Sequence, residues 1–159
     1  MKKLFLFLAV AVLMASCATP YQQERGFVFG TIYNMTYKYD KSLNTEIEAE
    51  LKKVDGEFSM FNEHSTVAAI NRGEDPKHSK MFSEVYQLAL KVNSDTDGAF
   101  DITVAPLVNA WGFGFKNQQM PTPEQVDSLL KIRSQMDFSA IAKGYGCDVV
   151  ARLLEEQGI

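Results

Sequence analysis

Apolar residues recur along this chain at two periods, and the changes between them mark out the elements. From Phe27 to Tyr39 the run F-V-F-G-T-I-Y-N-M-T-Y-K-Y is rich in β-branched and aromatic residues, which predicts a strand with Gly30 as a kink or point of close approach. Ile47, Leu51, Val54, Phe58 and Phe61 follow at spacings of four, three, four and three. That is the stripe of an amphipathic helix, and Thr45 with Glu48 predicts a capping box at its start. Arg72 to His78 reads as a polar loop holding Gly73 and Pro76. Met81, Val85, Leu88 and Val92 mark the next helix, with Phe82 and Ala89 widening its stripe. Thr122-Pro123-Glu124-Gln125 is a helix start with Thr122 as N-cap, and Val126, Leu129 and Leu130 give that helix an apolar face. Ile132 to Phe138 reads as strand or extended chain. Ile141 to Gln157 is the last helix, buried through Val149, Val150, Leu153 and Leu154, with Gly158 as its C-cap. These elements predict an α+β fold, a mixed sheet with packed helices.

One stretch fits neither period. Asp97 to Gly114 reads D-G-A-F-D-I-T-V-A-P-L-V-N-A-W-G-F-G. A turn at Gly98-Ala99-Phe100 separates Asp97 from Asp101, Pro106 interrupts the start of a short helix over 104–110, and a Gly-Phe-Gly exit follows Trp111, a core or stacking aromatic. One carboxylate can face a ligand while the other caps a turn. Gly112 and Gly114 are not a dinucleotide fingerprint, because position 117 is Asn117, and Gly144-Tyr145-Gly146 fails in the same way with Val149.

Composition narrows the class. The chain has 159 residues, 46% hydrophobic and 23% charged, which suits one globular domain and excludes a disordered chain. Residues 1–16 read as an address: basic Lys2 and Lys3, an apolar run from Leu4 to Leu13 too short to span a bilayer comfortably, then Met14-Ala15-Ser16-Cys17. This resembles a bacterial lipoprotein signal, which implies cleavage before Cys17, acylation of its thiol and attachment to a membrane by lipid. A plain secretory peptide cut nearby is the alternative. Ala18 carries no inner-membrane retention signal, which favours the outer membrane and a periplasmic location. Residues 17–25 then form a lipidated tether and 26–159 the domain. Loss of residues 1–16 leaves 14 basic against 20 acidic residues, a net charge of −6, and nothing in that balance suits nucleic acid. With Cys17 acylated, Cys147 has no disulfide partner and packs as a small apolar residue. His64 and His78 have no partner at zinc-ligand spacing.

The stretch at 97–114 and a second one, M-D-F-S-A-I-A-K-G-Y-G at 136–146, together resemble two signatures of the FAD:protein FMN transferase family, the ApbE-type flavin transferases. Phe29-Gly30-Thr31 is similar to that family's Met-Gly-Thr opening with Phe29 in place of the methionine, and an ordinary first strand is the other reading. The segment at 57–71 resembles the family's Ser-Thr-Tyr…Asn segment, with Phe61 at the aromatic position flanking the flavin. Phe61 can stack there but cannot donate a hydroxyl, and a core role is the alternative. The resemblance implies that Ala99, Phe100 and Asp101 contact flavin, that Asp137 binds the flavin side of FAD, that Lys143 acts as a point charge near it or its phosphates, and that Ala140 offers its backbone carbonyl to Mg²⁺. Ser139 orients the turn, and a helix opening there points free N–H groups at an anion. For Asp101 an N-cap or Asx-turn is the competing structural role.

The implied reaction is Mg²⁺-dependent transfer of FMN from FAD to a Thr or Ser hydroxyl of an acceptor protein, with release of AMP. Hydrolysis of FAD to FMN and AMP uses the same site, with water in place of the hydroxyl. A third reading makes the chain a calcium-binding surface lipoprotein, since Asn93-Ser94-Asp95-Thr96-Asp97-Gly98 with Asp101 imitates an EF-hand loop, although its twelfth position is Val104. Family members run roughly twice this length, with more flavin contacts and an Asp and Thr metal pair in the second half. The resemblance therefore implies an N-terminal half that by itself transfers no FMN.

Overall fold

The run from Phe27 to Tyr39 spans the end of the first arm, the turn and the second arm of a hairpin rather than one kinked strand. In the computed structural model, which describes residues 19–113 and 120–159, β1 (Tyr21–Val28) pairs antiparallel with β2 (Thr31–Lys38). The register runs from Val28 opposite Thr31 to Tyr21 opposite Lys38. Phe29 and Gly30 make the two-residue turn with φ of 54° and 71°, the left-handed pair that matches the twist of the two arms. Residues 21–25, expected as tether, therefore belong to the paired strand β1. They read as polar because the inward face of β1 is polar. Glu24 is buried there and accepts from the Tyr37 hydroxyl at 2.9 Å and the Ser42 hydroxyl at 2.7 Å, while the Tyr37 oxygen accepts the Leu43 N–H at 2.6 Å. Burial, with the Glu24 carboxylate adding to it, pushes the Tyr37 phenol up from its usual range and keeps it a donor. Among the described residues the sheet consists of this hairpin, so the pairing there is antiparallel only.

The first helix, α1 (Asn44–Phe58), buries Ile47, Leu51, Val54 and Phe58 as its spacing predicts. The expected box at Thr45 does not form. Leu43 is buried at the cap position, with its N–H held by Tyr37, and this starts the helix one residue ahead of Thr45; Ser42 accepts the Asn44 N–H at 3.2 Å instead. The stripe also ends at Phe58, because Ser59 turns to extended backbone and carries Phe61 to the surface, 58% exposed. A short helix follows, α2 (Thr66–Asn71), capped by Ser65 and too brief to show a period. In α3 (Lys80–Asp95) the buried residues are Phe82, Val85 and Ala89, while Leu88 is exposed. The inner face is rotated from the expected stripe, with Phe82 in the core beside Phe58 and Phe138.

After α3 come α4 (Ala105–Ala110) and α5 (Pro123–Leu129). Pro106 lies in the first turn of α4, where its missing N–H costs nothing, so it opens that helix. The Thr122–Gln125 capping box opens α5 as predicted, yet α5 buries no residue fully: of its expected apolar face Val126 and Leu129 are half-buried and Leu130 is exposed. The last helix, α6 (Ser139–Glu156), starts two residues earlier than its pattern suggests and packs along α1. Its inner face is Ala142, Tyr145, Gly146 and Val150, with Val149, Leu153 and Leu154 half-buried.

Aromatic rings fill the centre. Phe58 lies 5.8 Å from Phe82 and 5.2 Å from Phe138, and Phe82 lies 5.7 Å from Phe138, centroid to centroid. The hairpin is joined to this core through Phe29, whose ring lies on Gly146: a Cβ at Gly146 would come within 3.0 Å of Phe29 Cε2. Two glycines of one helix turn thus have opposite roles, since Gly144 faces open space. Gly144→Ala is expected to stabilise the fold by about 0.5–1 kcal/mol through helix propensity. Gly146→Val is expected to cost about 1–3 kcal/mol by overpacking. Thermal denaturation of the two variants checks both signs.

Candidate functional site

The stretch that lacks a period is folded onto the end of α3 by polar side chains. The Thr96 hydroxyl donates to the Val92 carbonyl at 2.8 Å and accepts the Phe100 N–H at 3.1 Å. The Asn93 amide donates to the Phe100 carbonyl at 2.6 Å. Asp97 (φ 51°) and Gly98 (φ 81°) reverse the chain between these ties. Asp101 then caps a 3₁₀ turn over Ile102–Val104: its Oδ1 accepts the Thr103 N–H at 2.8 Å and the Thr103 hydroxyl at 2.7 Å, and its Oδ2 pairs with the Arg133 guanidinium. Arg133 also donates to Thr103 Oγ1 at 2.8 Å. Partial burial pulls the Asp101 carboxyl upward, but the Thr103 hydroxyl and amide and the Arg133 guanidinium outweigh it, so the group is held below the usual carboxylate range.

A second wall is brought alongside by Asn71. Its side-chain amide donates to the Met136 carbonyl at 2.8 Å and its carbonyl accepts the Met136 N–H at 2.7 Å, which holds the 132–138 segment as a strand partner would. Asp137 then donates its N–H to the Ile102 carbonyl at 2.7 Å, and its Oδ1 accepts the Ser139 N–H at 2.7 Å as α6 begins. Phe138 is buried beneath, which fixes the direction in which α6 leaves. Ala140 and Lys143 follow at i, i+3 on one face of that helix.

Between the walls lies a cleft of about 500 Å³, within the range of small-molecule sites. It brings together Phe61, Ala99, Phe100, Asp101, Asp137, Ala140 and Lys143 of the sequence-predicted residues, with Ser139 beside them. Phe29 stands apart. Its ring is on Gly146 behind Phe61 and borders a narrow gap shared with Phe61 and Lys143, so its first task is packing. Cys17 lies outside the described residues. Asp101 fills the capping role that the sequence left open, and it edges the cleft while doing so.

The sequence reading did not single out Met60, Val108, Asn109 and Phe113 as lining residues, nor Val104. Val104 and Val108, at i, i+4, carry the spacing of a core stripe, and their sequence gives no sign that they line a cleft. Thr103 and Arg133 were also missed, because an arginine 32 positions downstream of Asp101 gives no local signal. The calcium-loop reading meets a different geometry: Asp95 ends α3 and pairs with Lys91, the Asn93 amide is a donor to Phe100, and Asp101 is taken by Thr103 and Arg133. Among the described residues no three His, Cys, Asp or Glu side chains gather where they could hold a metal ion.

The ApbE family model matches residues 29–159. FAD:protein FMN transferase of Vibrio cholerae is 32% identical, over 100% of this chain and 57% of that protein. FAD:protein FMN transferase of Haemophilus influenzae is 33% identical, over 98% of this chain and 57% of that protein. The solved structure of flavin transferase ApbE from Vibrio cholerae superposes with a TM-score of 0.81 at 31% identity, covering 88% of this chain and 55% of that one. This chain spans little more than half the length of the relatives it matches.

Two substitutions test how the walls are held. Asn71→Ala strips both Met136 backbone groups of their side-chain partner and is expected to cost about 1–3 kcal/mol in chemical denaturation. For Asp101 the folded pKa is depressed, so its contribution to stability is full above its unfolded value of about 3.9 and is lost as pH falls through the folded value. Asp101→Asn is therefore expected to flatten the fall of stability below about pH 4, read as denaturation midpoint against pH.

Proposed function

Because this chain belongs to the ApbE family, we propose that it carries the FMN-binding half of a flavin transferase that moves FMN from FAD to a Thr or Ser hydroxyl of an acceptor protein and releases AMP. In that step the acceptor oxygen bonds to the phosphorus of the FMN moiety. The bridging P–O bond to AMP breaks, AMP leaves with the electron pair, and the hydroxyl proton passes to solvent. The observation that supports the reading best is the meeting, in one cleft, of the 99–101 turn and the 137–143 helix start, which lie apart in sequence.

The cleft's chemistry is divided in a way that suits FAD. Met60, Phe61, Val104, Val108 and Phe113 offer apolar surface for a planar ring system, with Phe61 edging it from the α1–α2 link. Ala99 and Phe100 bring backbone to the same wall. Lys143, exposed and with no partner among the described residues, stands beside the first turn of α6. A phosphate there meets a point charge and the helix N-terminus together. Asp137, already capping that turn, keeps one oxygen for the flavin side.

Magnesium belongs to this proposal, and the described residues alone do not form its shell. The Ala140 carbonyl sits in the first turn of α6 on the cleft wall, and one neutral oxygen does not hold Mg²⁺ against water. When bound together with substrate phosphates the ion would neutralise charge developing on the pyrophosphate. No step assigned to this chain's residues passes through it.

The site assignment is read by flavin fluorescence. FAD titration is expected to be saturable, and Asp137→Ala and Lys143→Ala are each expected to raise Kd about tenfold, ~1.4 kcal/mol; an unchanged Kd in both variants sinks the assignment. In any preparation that turns over FAD, covalent flavin on the acceptor should rise in step with AMP. Free FMN with AMP and an unlabelled acceptor means hydrolysis instead.

The proposal extends to location. Cys17, following a basic start and a short apolar run, supports a lipid anchor facing the periplasm. No helix among the described residues is long and apolar enough to cross a membrane. Cys17→Ala is expected to move the protein from the membrane fraction to the soluble one, and unchanged partition counts against the anchor.

A further inference from the structure

Arg133 makes contacts that the flavin reading of the cleft does not account for. It projects from the link between α5 and α6, outside both sequence motifs, and closes a ring of three side chains. Its guanidinium donates to Asp101 Oδ2 and to Thr103 Oγ1, while that same Thr103 hydroxyl donates to Asp101 Oδ1. Both carboxylate oxygens of Asp101 are thereby engaged, and its rotamer is fixed from two sides. The ring encloses Ile102, whose carbonyl accepts the Asp137 N–H at 2.7 Å. Asp101 lines the FMN cleft on one side and, with Thr103 and Arg133, a second groove on the other, so it is a partition held from behind.

We infer that Arg133 is a positioning residue for the cleft: by bracketing Asp101 and Thr103 it fixes the Ile102 carbonyl and, through it, the place of Asp137. The inference rests on the flavin reading for what the two carboxylates are positioned toward, and on this chain's own hydrogen bonds for the bracket itself. The Arg133 side chain is 62% exposed and that of Asp101 22%, and a pair so open to water adds little to global stability. Its effect therefore falls on local geometry. Asp101 and Asp137 both edge the cleft, and displacement of either wall changes how they meet a ligand.

The first arm of the test needs no ligand. In Arg133→Ala the Thr103 and Asp137 amides are expected to exchange with solvent at least about tenfold faster, while Tm shifts by no more than about 3 °C. Arg133→Lys, which keeps the charge, should restore part of that protection, and Thr103→Val should lose it with Arg133 in place. Amides as protected in Arg133→Ala as in the parent overturn the inference, whatever FAD does. The second arm is a double-mutant cycle on FAD binding. Arg133→Ala is expected to raise Kd about tenfold, and the Asp101→Ala/Arg133→Ala pair should bind within about twofold of Asp101→Ala alone, since the two act as one unit. Additive losses overturn the inference, because Arg133 would then meet the ligand by itself. A parent that takes up no FAD, with the exchange effect intact, overturns the flavin reading and leaves the bracket supported.

Discussion

The hydrogen bond from the Asp137 N–H to the Ile102 carbonyl, 2.7 Å long, is where two parts of the chain that have no contact in sequence become one site. Each side is prepared independently. Ile102 is presented by a turn that Asp101 caps, and Asp137 by a segment that Asn71 grips at Met136. Beneath it, Phe138 is seated among Phe58 and Phe82, so the bond spans the top of an aromatic core that resists displacement. Loss of that packing would move α6 and the walls together. Loss of the bond alone would let the walls part above an intact core.

What could be read from the sequence follows the range of the forces. The helix over 44–58 and the Thr122 capping box were legible because their causes lie within a few residues: a stripe that repeats, or a hydroxyl three positions from a glutamine. The two chemical motifs were legible as resemblance, and the fold brings their residues into one cleft. The hairpin was half legible. Its second arm is β-branched and aromatic, but its first arm turns Gln22, Glu24 and Gly26 inward, a pattern that reads as a polar tether until Tyr37 and Ser42 are seen to satisfy Glu24. Asn71 and Arg133 were illegible for the opposite reason. Each acts on a partner 32 or 65 positions away, and no local period encodes that.

Phe29 shows how a local cost is tolerated by a distant contact. A non-glycine residue at φ 54° is disfavoured by about 1–2 kcal/mol, and glycine would be the easy choice at that turn. The ring, however, lies in the gap left by Gly146 and touches both clusters of the core, one built on Phe58 and the other on Ile47 and Leu51. Full burial of such a ring stabilises by about 1.5–3 kcal/mol, and half-buried Phe29 gains part of that against the cost of the turn. The absent side chain at Gly146 and the strained backbone at Phe29 are thus one feature, and it docks the hairpin against α6 close to the start of the cleft.

The polar groups of the cleft fall into two kinds. Asp101 and Asp137 are tied by neighbours: the first by Thr103 and Arg133, the second by the Ser139 N–H. Arg133 partly offsets the charge of Asp101 before any ligand arrives, and the Ser139 N–H fixes the place of Asp137, so both act as fixed acceptors. Lys143 is not so committed, although the opening turn of α6 has already given its Ser139 N–H to Asp137. The aligned peptides of an 18-residue helix carry about half a positive charge at that end, and Lys143 adds a full one a single turn further on. In the same cleft, Met60, Phe61, Val104 and Val108 offer nothing to an anion and much to a flat ring. Apolar surface, a helix N-terminus and a lysine thus border one cleft, the combination that a molecule carrying both a flat apolar ring and phosphates calls for.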